Sequence, residues 1–296
     1  MNNLKFIEEY KKFIKFEKRL SPASVKSYLR DINDLIELMG NKNLENYSVE
    51  DIRKNISHLH SKGLNGKSLS RMISSWRGLF NFLIHKHKFK KNPTLGIKAP
   101  KSEKLLPQTL SVDQTIKLID IKDSSFLGIR DHAILELFYS SGLRLSELVD
   151  LKINNINFED GTITIFGKGN KERIVPMGSY ASKAIKKWLS LRKNLGHKVS
   201  DNPILFSKKD GQKLTARAIQ YRLKFWAIKQ GIPENIHPHL MRHSFASHLL
   251  QSSQDLRAVQ ELLGHENIST TQIYTHLDFQ HLSKIYDKAH PRAKKK

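Results

Sequence analysis

Apolar residues recur at steps of three and four along the chain, and alternation of apolar and polar residues is confined to one short stretch. The clearest stripe contains Val25, Tyr28, Leu29, Ile32, Leu35, Ile36 and Met39. This spacing puts the side chains on one face of a helix, whereas a half-buried strand has a period of two. The pattern predicts a mainly α-helical protein.

Residues 1–91 have the pattern of four amphipathic helices. Ser21 and Pro22 predict the start of the second one, because Ser caps free backbone N–H groups and Pro fits the first helical turn. Gly40 predicts its end, since glycine readily adopts the conformation that terminates helices. The other three are predicted over Leu4 to Lys18, from Ser48 onward and over Gly66 to His87. Four such helices can pack as a bundle, which predicts a first domain over residues 1–91.

Residues 92–108 interrupt the helical period. They contain Pro93, Gly96, Pro100 and Pro107 with lysines between them. Proline and glycine residues at such close spacing interrupt regular structure and are typical of loops. We therefore expect an extended basic linker over residues 92–108, followed by a second domain over residues 109–296.

The second domain is predicted to be helical with a small antiparallel β-hairpin. Thr162 to Phe166 alternates as a strand does, Arg173 to Pro176 is the second strand, and Gly167 to Lys171 is the turn. An amphipathic pattern over Asp278 to Lys288 predicts a C-terminal helix. Other helices are predicted to begin at Ser111 and to span 125–140, 179–193, 215–230, 238–251, 256–263 and 269–276.

The formal net charge of +23 makes a polyanion the natural partner. Residues 1–100 hold 20 Lys and Arg against 9 Asp and Glu, and the remaining residues hold 31 against 19, so both parts are basic. Simple compositional enrichment in lysine is the alternative. No stretch approaches the roughly 20 apolar residues of a spanning helix, and the N-terminus lacks a signal-peptide pattern. These features favour a cytoplasmic protein that binds nucleic acid without a membrane.

His239 and Arg242 are three residues apart in a predicted helix, so their side chains share a face. His239 and His243 have the spacing of a helical zinc motif, but that motif needs Glu directly after the first His, and Leu240 stands there. The chain has no cysteine, which excludes thiolate sites. We expect no metal site here.

Three further positions are weak signals when taken alone. Arg144 opens a helix and is placed to reach a phosphate, or to pair with Glu147. Lys168 lies between two glycines at the hairpin turn, where lysines often only add solubility. Tyr274 follows His265 by nine residues, and a tyrosine late in a helical domain is most often packed in a core.

In combination, these motifs resemble the catalytic signature of the tyrosine recombinase (phage-integrase-type) family. They occur in the family's order: Gly142-Leu-Arg-Leu-Ser-Glu147, Gly167-Lys-Gly-Asn-Lys-Glu-Arg173, His237-Pro-His-Leu-Met-Arg-His243, Leu262-Leu-Gly-His265 and Thr270-Thr-Gln-Ile-Tyr-Thr-His276. The resemblance covers nearly the whole chain. Residues 167–176 and the ending Ala289-His-Pro-Arg-Ala293 are similar specifically to the cellular Xer recombinases.

The resemblance implies a catalytic role for six residues. Two of them, Arg144 and Arg242, neutralise the charge of a DNA phosphate, for which guanidiniums need no metal. Tyr274 is the nucleophile that forms a 3′-phosphotyrosyl link, so no cofactor or ATP is needed. Lys168 is the expected general acid, while His239 and His265 are expected to accept a proton and to donate a hydrogen bond.

The resemblance also implies partners. Two domains are expected to clamp double-stranded DNA, in a homo- or hetero-tetramer on two DNA sites that exchanges strands through a Holliday junction and passes a C-terminal helix to a neighbour. A septal DNA translocase is a possible regulator. Candidate DNA contacts are the exposed-face cations Lys26, Arg30, Lys67 and Arg71, together with Arg173.

Three alternatives remain open at this point. The first is an integrase of a phage or mobile element in the same family. The second is a type IB topoisomerase, which shares the tyrosine chemistry. The third is a DNA-binding regulator without catalysis.

Overall fold

The computed structural model describes residues 2–101, 109–167, 172–194, 196, 201, 203–232, 235–264 and 276–293. The chain divides into two compact units, Met1–Leu106 and Pro107–Lys296. Each has its own apolar core. The described part is mainly helical with one small antiparallel sheet, which confirms the predicted fold class.

The described part of the first unit contains four α-helices: α1 (Asn2–Lys12), α2 (Pro22–Met39), α3 (Val49–Ser61) and α4 (Gly66–His87). The second and third helices begin after the capping serines that the sequence predicts. The Ser21 side chain accepts a hydrogen bond from the Ser24 N–H, and Ser48 forms a capping box with Asp51. The core is built largely on α4, where Trp76 is fully buried as expected.

Two segments of this unit differ from the sequence prediction. The sequence pattern predicts a first helix that reaches Lys18, but the α-helix ends at Lys12 and a π-helical turn follows over Phe13–Glu17. The wider turn keeps Ile14 buried in the core. The beginning of the predicted linker is packed rather than extended, because Ile97 joins the same core and the buried Asn92 side chain bonds to Thr94 and Asn81.

The second unit contains eight described α-helices and three strands. The helices are α5 (Val112–Ile119), α6 (Phe126–Ser141), α7 (Leu145–Asp150), α8 (Ser179–Lys193), α9 (Ala216–Lys229), α10 (Pro238–Ser253), α11 (Leu256–Leu263) and α12 (His276–Ala289). The strands are β1 (Ile156–Asn157), β2 (Thr162–Phe166) and β3 (Glu172–Pro176). The predicted hairpin is thus the larger part of a three-stranded sheet in the order β1-β2-β3.

The core of the second unit surrounds α6. This helix is buried on nearly all sides, as its largely apolar sequence predicts, and the buried faces include the charged residues Arg130, Asp131 and Glu136. In the sheet, Ile163 is paired with Val175, and both side chains face the core. Trp226 lies in this core, as predicted. The amphipathic C-terminal helix is present as α12, and in this single chain its Leu282 and Tyr286 pack into the core of the same unit.

The predicted helix over residues 269–276 falls almost entirely outside the described residues. Within the described part of the chain, no helix combines the length and the hydropathy that crossing a membrane requires.

Candidate active site

Two helices of the second unit end at glycines in the left-handed conformation, and these ends frame the site. The α6 helix stops at Gly142 (φ 57°, ψ 32°), and α11 stops at Gly264 (φ 65°, ψ 55°). A Cβ at residue 142 would lie 2.4 Å from Phe245 Cδ1, and one at residue 264 would lie 3.1 Å from Arg173 Cδ. Both glycines therefore allow close packing that other residues would disturb.

Arg242 is held by the carbonyl groups at these helix ends. It lies in the first turns of α10 and donates from Nη1 to the Gly142 carbonyl and from Nη2 to the Leu263 carbonyl, each at 2.5 Å. Helix C-termini carry partial negative charge, so they stabilise a cation. Burial lowers the pKa of Arg242 to about 10, and the nearby charge of Arg144 contributes to this shift. The side chain is still cationic at neutral pH.

Arg144 approaches the same place from the residue that precedes α7. Its Nη2 donates to the Gly264 carbonyl at 3.0 Å, and its Nη1 donates to Glu147 Oε1 at 2.9 Å. The backbone N–H of Arg144 also donates to Glu147 Oε2, at 2.7 Å. About 41% of the side chain remains exposed. The structure thus brings Arg144 and Arg242, which are 98 positions apart in the sequence, to the ends of the same two helices.

Arg173 is used inside the protein, which differs from the prediction that it contacts DNA. Its two Nη atoms each donate to one oxygen of Glu147, at 2.8 Å, and only 9% of its side chain is exposed. Strand alternation contained this signal, since Arg173 shares the inward face of β3 with Val175. The charge of Arg173 favours a DNA contact, but its place on the inward face of the strand directs the side chain to Glu147 instead.

The Glu147 carboxylate accepts hydrogen bonds from both Arg144 and Arg173 and so connects these two side chains. Burial by itself raises the pKa of this carboxyl, but hydrogen bonds from Arg173 and from the Arg144 backbone outweigh burial and lower the pKa to about 2. The carboxylate is therefore ionised and orients both side chains. Three guanidiniums and one carboxylate leave an excess of positive charge, which suits an anion such as a DNA phosphate.

His239 is exposed in the first turn of α10, three residues before Arg242. Its ring lies 6.4 Å from that of His237, which caps the helix by accepting from the Leu240 N–H. In the described ranges, no three acidic or histidine side chains are grouped in a way that could bind a metal ion. Lys168, His265 and Tyr274 lie outside the described residues.

The predicted DNA-contact cations of the first unit divide into two kinds. Lys26, Arg30 and Lys67 are exposed. Arg71 is half-buried and forms an ion pair with the buried Asp31. Its role therefore cannot be that of a free surface cation.

Comparison with known protein families shows to which family the chain belongs. The phage integrase family matches residues 108–281, and the N-terminal SAM-like domain of phage integrases matches residues 7–87. The first match alone spans more than half of the chain. The chain therefore belongs to the phage integrase family, whose members include the tyrosine recombinases.

Relatives that match over nearly the whole chain show which members of the family this protein is similar to. Tyrosine recombinase XerC of Chromobacterium violaceum is 49% identical over 277 residues, 93% of this chain and 91% of that protein. Tyrosine recombinase XerC of Alcanivorax borkumensis is 44% identical over 297 residues, 100% of this chain and 96% of that protein. The predicted resemblance to Xer-type tyrosine recombinases is confirmed.

Solved structures of recombinases and integrases are also similar to this protein. The XerH site-specific recombinase bound to a palindromic difH substrate, in a post-cleavage complex, has a TM-score of 0.71 and 25% identity over 95% of this chain and 84% of that chain. The Tn1549 transposon integrase with circular intermediate DNA has a TM-score of 0.73 at 20% identity, over 93% of this chain and 98% of that chain. The latter shows a shared fold.

Proposed function

We propose that this protein is a site-specific recombinase of Xer type, which cleaves and rejoins DNA to resolve chromosome or plasmid dimers. One observation carries the proposal: Arg144 and Arg242 converge at two helix ends with an excess of positive charge. They do so in a chain 49% identical to a tyrosine recombinase. That arrangement suits the phosphate at which a strand is cut.

The two arginines stabilise the transition state. A phosphodiester resists attack because its oxygens are anionic, and charge on these oxygens grows as the nucleophile approaches. Arg144 and Arg242 direct fixed N–H donors and positive charge to this place. Because their carbonyl partners hold them in advance, little reorganisation is needed during the reaction.

Tyr274 is the proposed nucleophile. Its oxygen bonds to the phosphorus while the bond to the 5′-oxygen breaks, and the proton from tyrosine passes to His239. Lys168 protonates the departing 5′-oxygen, and His265 donates a hydrogen bond to a non-bridging oxygen. A 5′-hydroxyl of the partner strand then attacks the phosphotyrosine and gives its proton back to Lys168, while the tyrosine oxygen leaves and regains its proton from His239. The phosphodiester energy is conserved, so neither ATP nor a metal is needed.

The proposal includes the assembly. Two domains clamp double-stranded DNA, and four subunits, identical or of two kinds, hold two sites while they exchange strands and C-terminal helices. Arg144 and Arg242 act in each subunit on one phosphate. A septal DNA translocase as regulator and a cytoplasmic location belong to the same proposal.

The test is covalent trapping. A duplex is first selected from random-sequence DNA by the purified full-length protein and is then nicked near the expected cleavage position, so that the released end diffuses away. We expect a covalent protein–DNA adduct for the wild type and none for Tyr274→Phe. An adduct with Tyr274→Phe assigns the wrong nucleophile, and none with either protein indicates a DNA-binding regulator. Relaxation of supercoiled DNA without any selected site would indicate a topoisomerase.

A further inference from the structure

A buried carboxylate holds one arginine of the first unit in a fixed position. Asp31 of α2 has a side chain only 1% exposed, and it forms an ion pair with Arg71 of α4. Arg71 also donates from the same Nη1 atom to the Ser27 hydroxyl, at 2.9 Å. The second Asp31 oxygen has no hydrogen-bond partner among the described residues and lies 4.0 Å from Arg30 Nη2. One carboxylate thus fixes one edge of the Arg71 guanidinium.

The helices that carry this pair are locked to each other. The Trp76 ring N–H donates to the Asp31 carbonyl at 2.6 Å, and the Ser75 hydroxyl donates to the Tyr28 carbonyl at 3.1 Å. Both contacts join α4 to the α2 backbone beside the ion pair. These bonds fix α2 and α4 beside each other, so the Asp31 carboxylate and the Ser27 hydroxyl that hold the guanidinium have a fixed position relative to the α4 backbone.

The other edge of the guanidinium is available. Nε and Nη2 of Arg71 donate to no group in the part of the chain that the structure describes, and 38% of the side chain is exposed. These two N–H groups are parallel and match two adjacent acceptors. Guanine offers such a pair, O6 and N7, in the major groove of DNA.

A phosphate also offers two acceptors, but the surroundings favour a base. Asp31 already offsets the charge of Arg71, which weakens its attraction to phosphate. Exposed Lys67 lies one turn earlier on α4, and exposed Lys26 and Arg30 lie on α2, where long mobile cations suit the backbone. We infer that Arg71 is a specificity-determining residue that reads one guanine in each half of the DNA site, positioned by Asp31.

This inference rests on the proposed recombinase function, and the experiment separates the two. The full-length wild type, Arg71→Lys and Lys67→Ala each select binding sites from random-sequence duplex DNA. The affinity for the wild-type site and for single-base variants is then measured over a range of salt concentrations. The nicked-duplex assay runs in parallel.

For Arg71→Lys we expect the preference for guanine at one position of each half-site to fall on the order of 10-fold, because a lysine cannot donate in bidentate fashion. The salt dependence should stay as in the wild type. For Lys67→Ala we expect every sequence to be bound more weakly, the base preferences to be unchanged, and the salt slope to fall by about one.

Asp31→Asn keeps the shape of the side chain and tests the positioning role. The guanine preference should fall at the same position, while the salt slope does not decrease, because the charge of Arg71 is no longer offset. Thermal unfolding confirms that each variant is folded. Arg71→Lys also keeps a cation beside Asp31, so the test does not depend on Asp31→Asn alone.

Three results have distinct meanings. A wild type that selects a site and forms the adduct, with an Arg71→Lys variant of unchanged base preference at every position, overturns the inference alone. A uniform loss of affinity with a smaller salt slope for Arg71→Lys assigns Arg71 to a phosphate and also overturns it. A wild type that selects no sequence and forms no adduct refutes the proposed function itself.

Discussion

Both units of this protein hold arginines with a buried carboxylate, but the balance of charge differs. In the first unit Asp31 forms a close ion pair with Arg71, and Arg30 lies farther away, at 4.0 Å. In the second, Glu147 orients both Arg144 and Arg173, while backbone carbonyls hold Arg242. The first arrangement offsets charge and fixes direction. The second leaves an excess of positive charge that an anion would relieve. This difference is the basis for the proposed recognition by the first unit and the proposed catalysis by the second.

The largest expected effect comes from breaking the more deeply buried pair. Arg173→Met leaves Glu147 buried with fewer donors, and the second unit should lose about 3–5 kcal/mol of stability. Arg71→Met should cost the first unit less, because water reaches the more exposed Arg71 site. Urea unfolding followed by tryptophan fluorescence measures this, since Trp76 reports on the first unit and Trp188 and Trp226 on the second. Equal losses would contradict the comparison.

The second-largest expected effect is on the rate of adduct formation, which should depend on the arginines of the second unit and not on Arg71 of the first. Arg242→Lys loses one of the two N–H positions that bind carbonyls and misplaces the charge, so the rate of adduct formation should fall about 100- to 1,000-fold. Arg71→Lys, measured with saturating DNA, should leave that rate unchanged. Single-turnover reactions on the nicked duplex measure both. A comparable fall for Arg71→Lys would mean that the first unit also acts in the chemical step.

The pH dependence of stability is the third difference. The pKa of Glu147 is about 2 in the folded protein, below its ordinary value of 4.5. Its stabilising effect is complete above pH 4.5 and is lost as the pH falls through about 2, an effect on the order of 3 kcal/mol. Glu147→Gln should lack this part of the acid-induced loss. Urea unfolding at several pH values between 5 and 2 checks it, and parallel curves for both proteins would contradict the assignment.

The smallest expected effect concerns the close packing of Gly264 on Arg173. Gly264→Ala adds a backbone cost of about 1–2 kcal/mol and presses on Arg173. Gly231→Ala is the matched control, since residue 231 also has a positive φ but its nearest group is the Lys117 amine at 3.9 Å. Only Gly264→Ala should slow adduct formation. Equal rates for the two variants would show that this packing does not position the arginines.

Much of the fold was predictable because its signals are local. Ser21, Ser48 and Ser111 cap the helices they were expected to start, and α4 and α8 have the expected bounds. The π-helical turn after Lys12 and the packing of residues 92–97 were missed, because both depend on the core rather than on neighbouring residues. For the site, motif order identified Arg144 and Arg242, whereas the pairing of Arg173 with Glu147 required the strand face.

The sequence by itself determined the helical class, the helix caps, the basic charge and the identity of the candidate catalytic residues. These depend on spacing, composition and short motifs, which are written in consecutive residues. Only the tertiary structure decided which arginines are offset by carboxylates and which are held by carbonyl groups. Apart from Glu147, which is three positions from Arg144, those partners lie 21 to 120 positions away along the chain. Folding alone brings such distant groups within hydrogen-bonding distance.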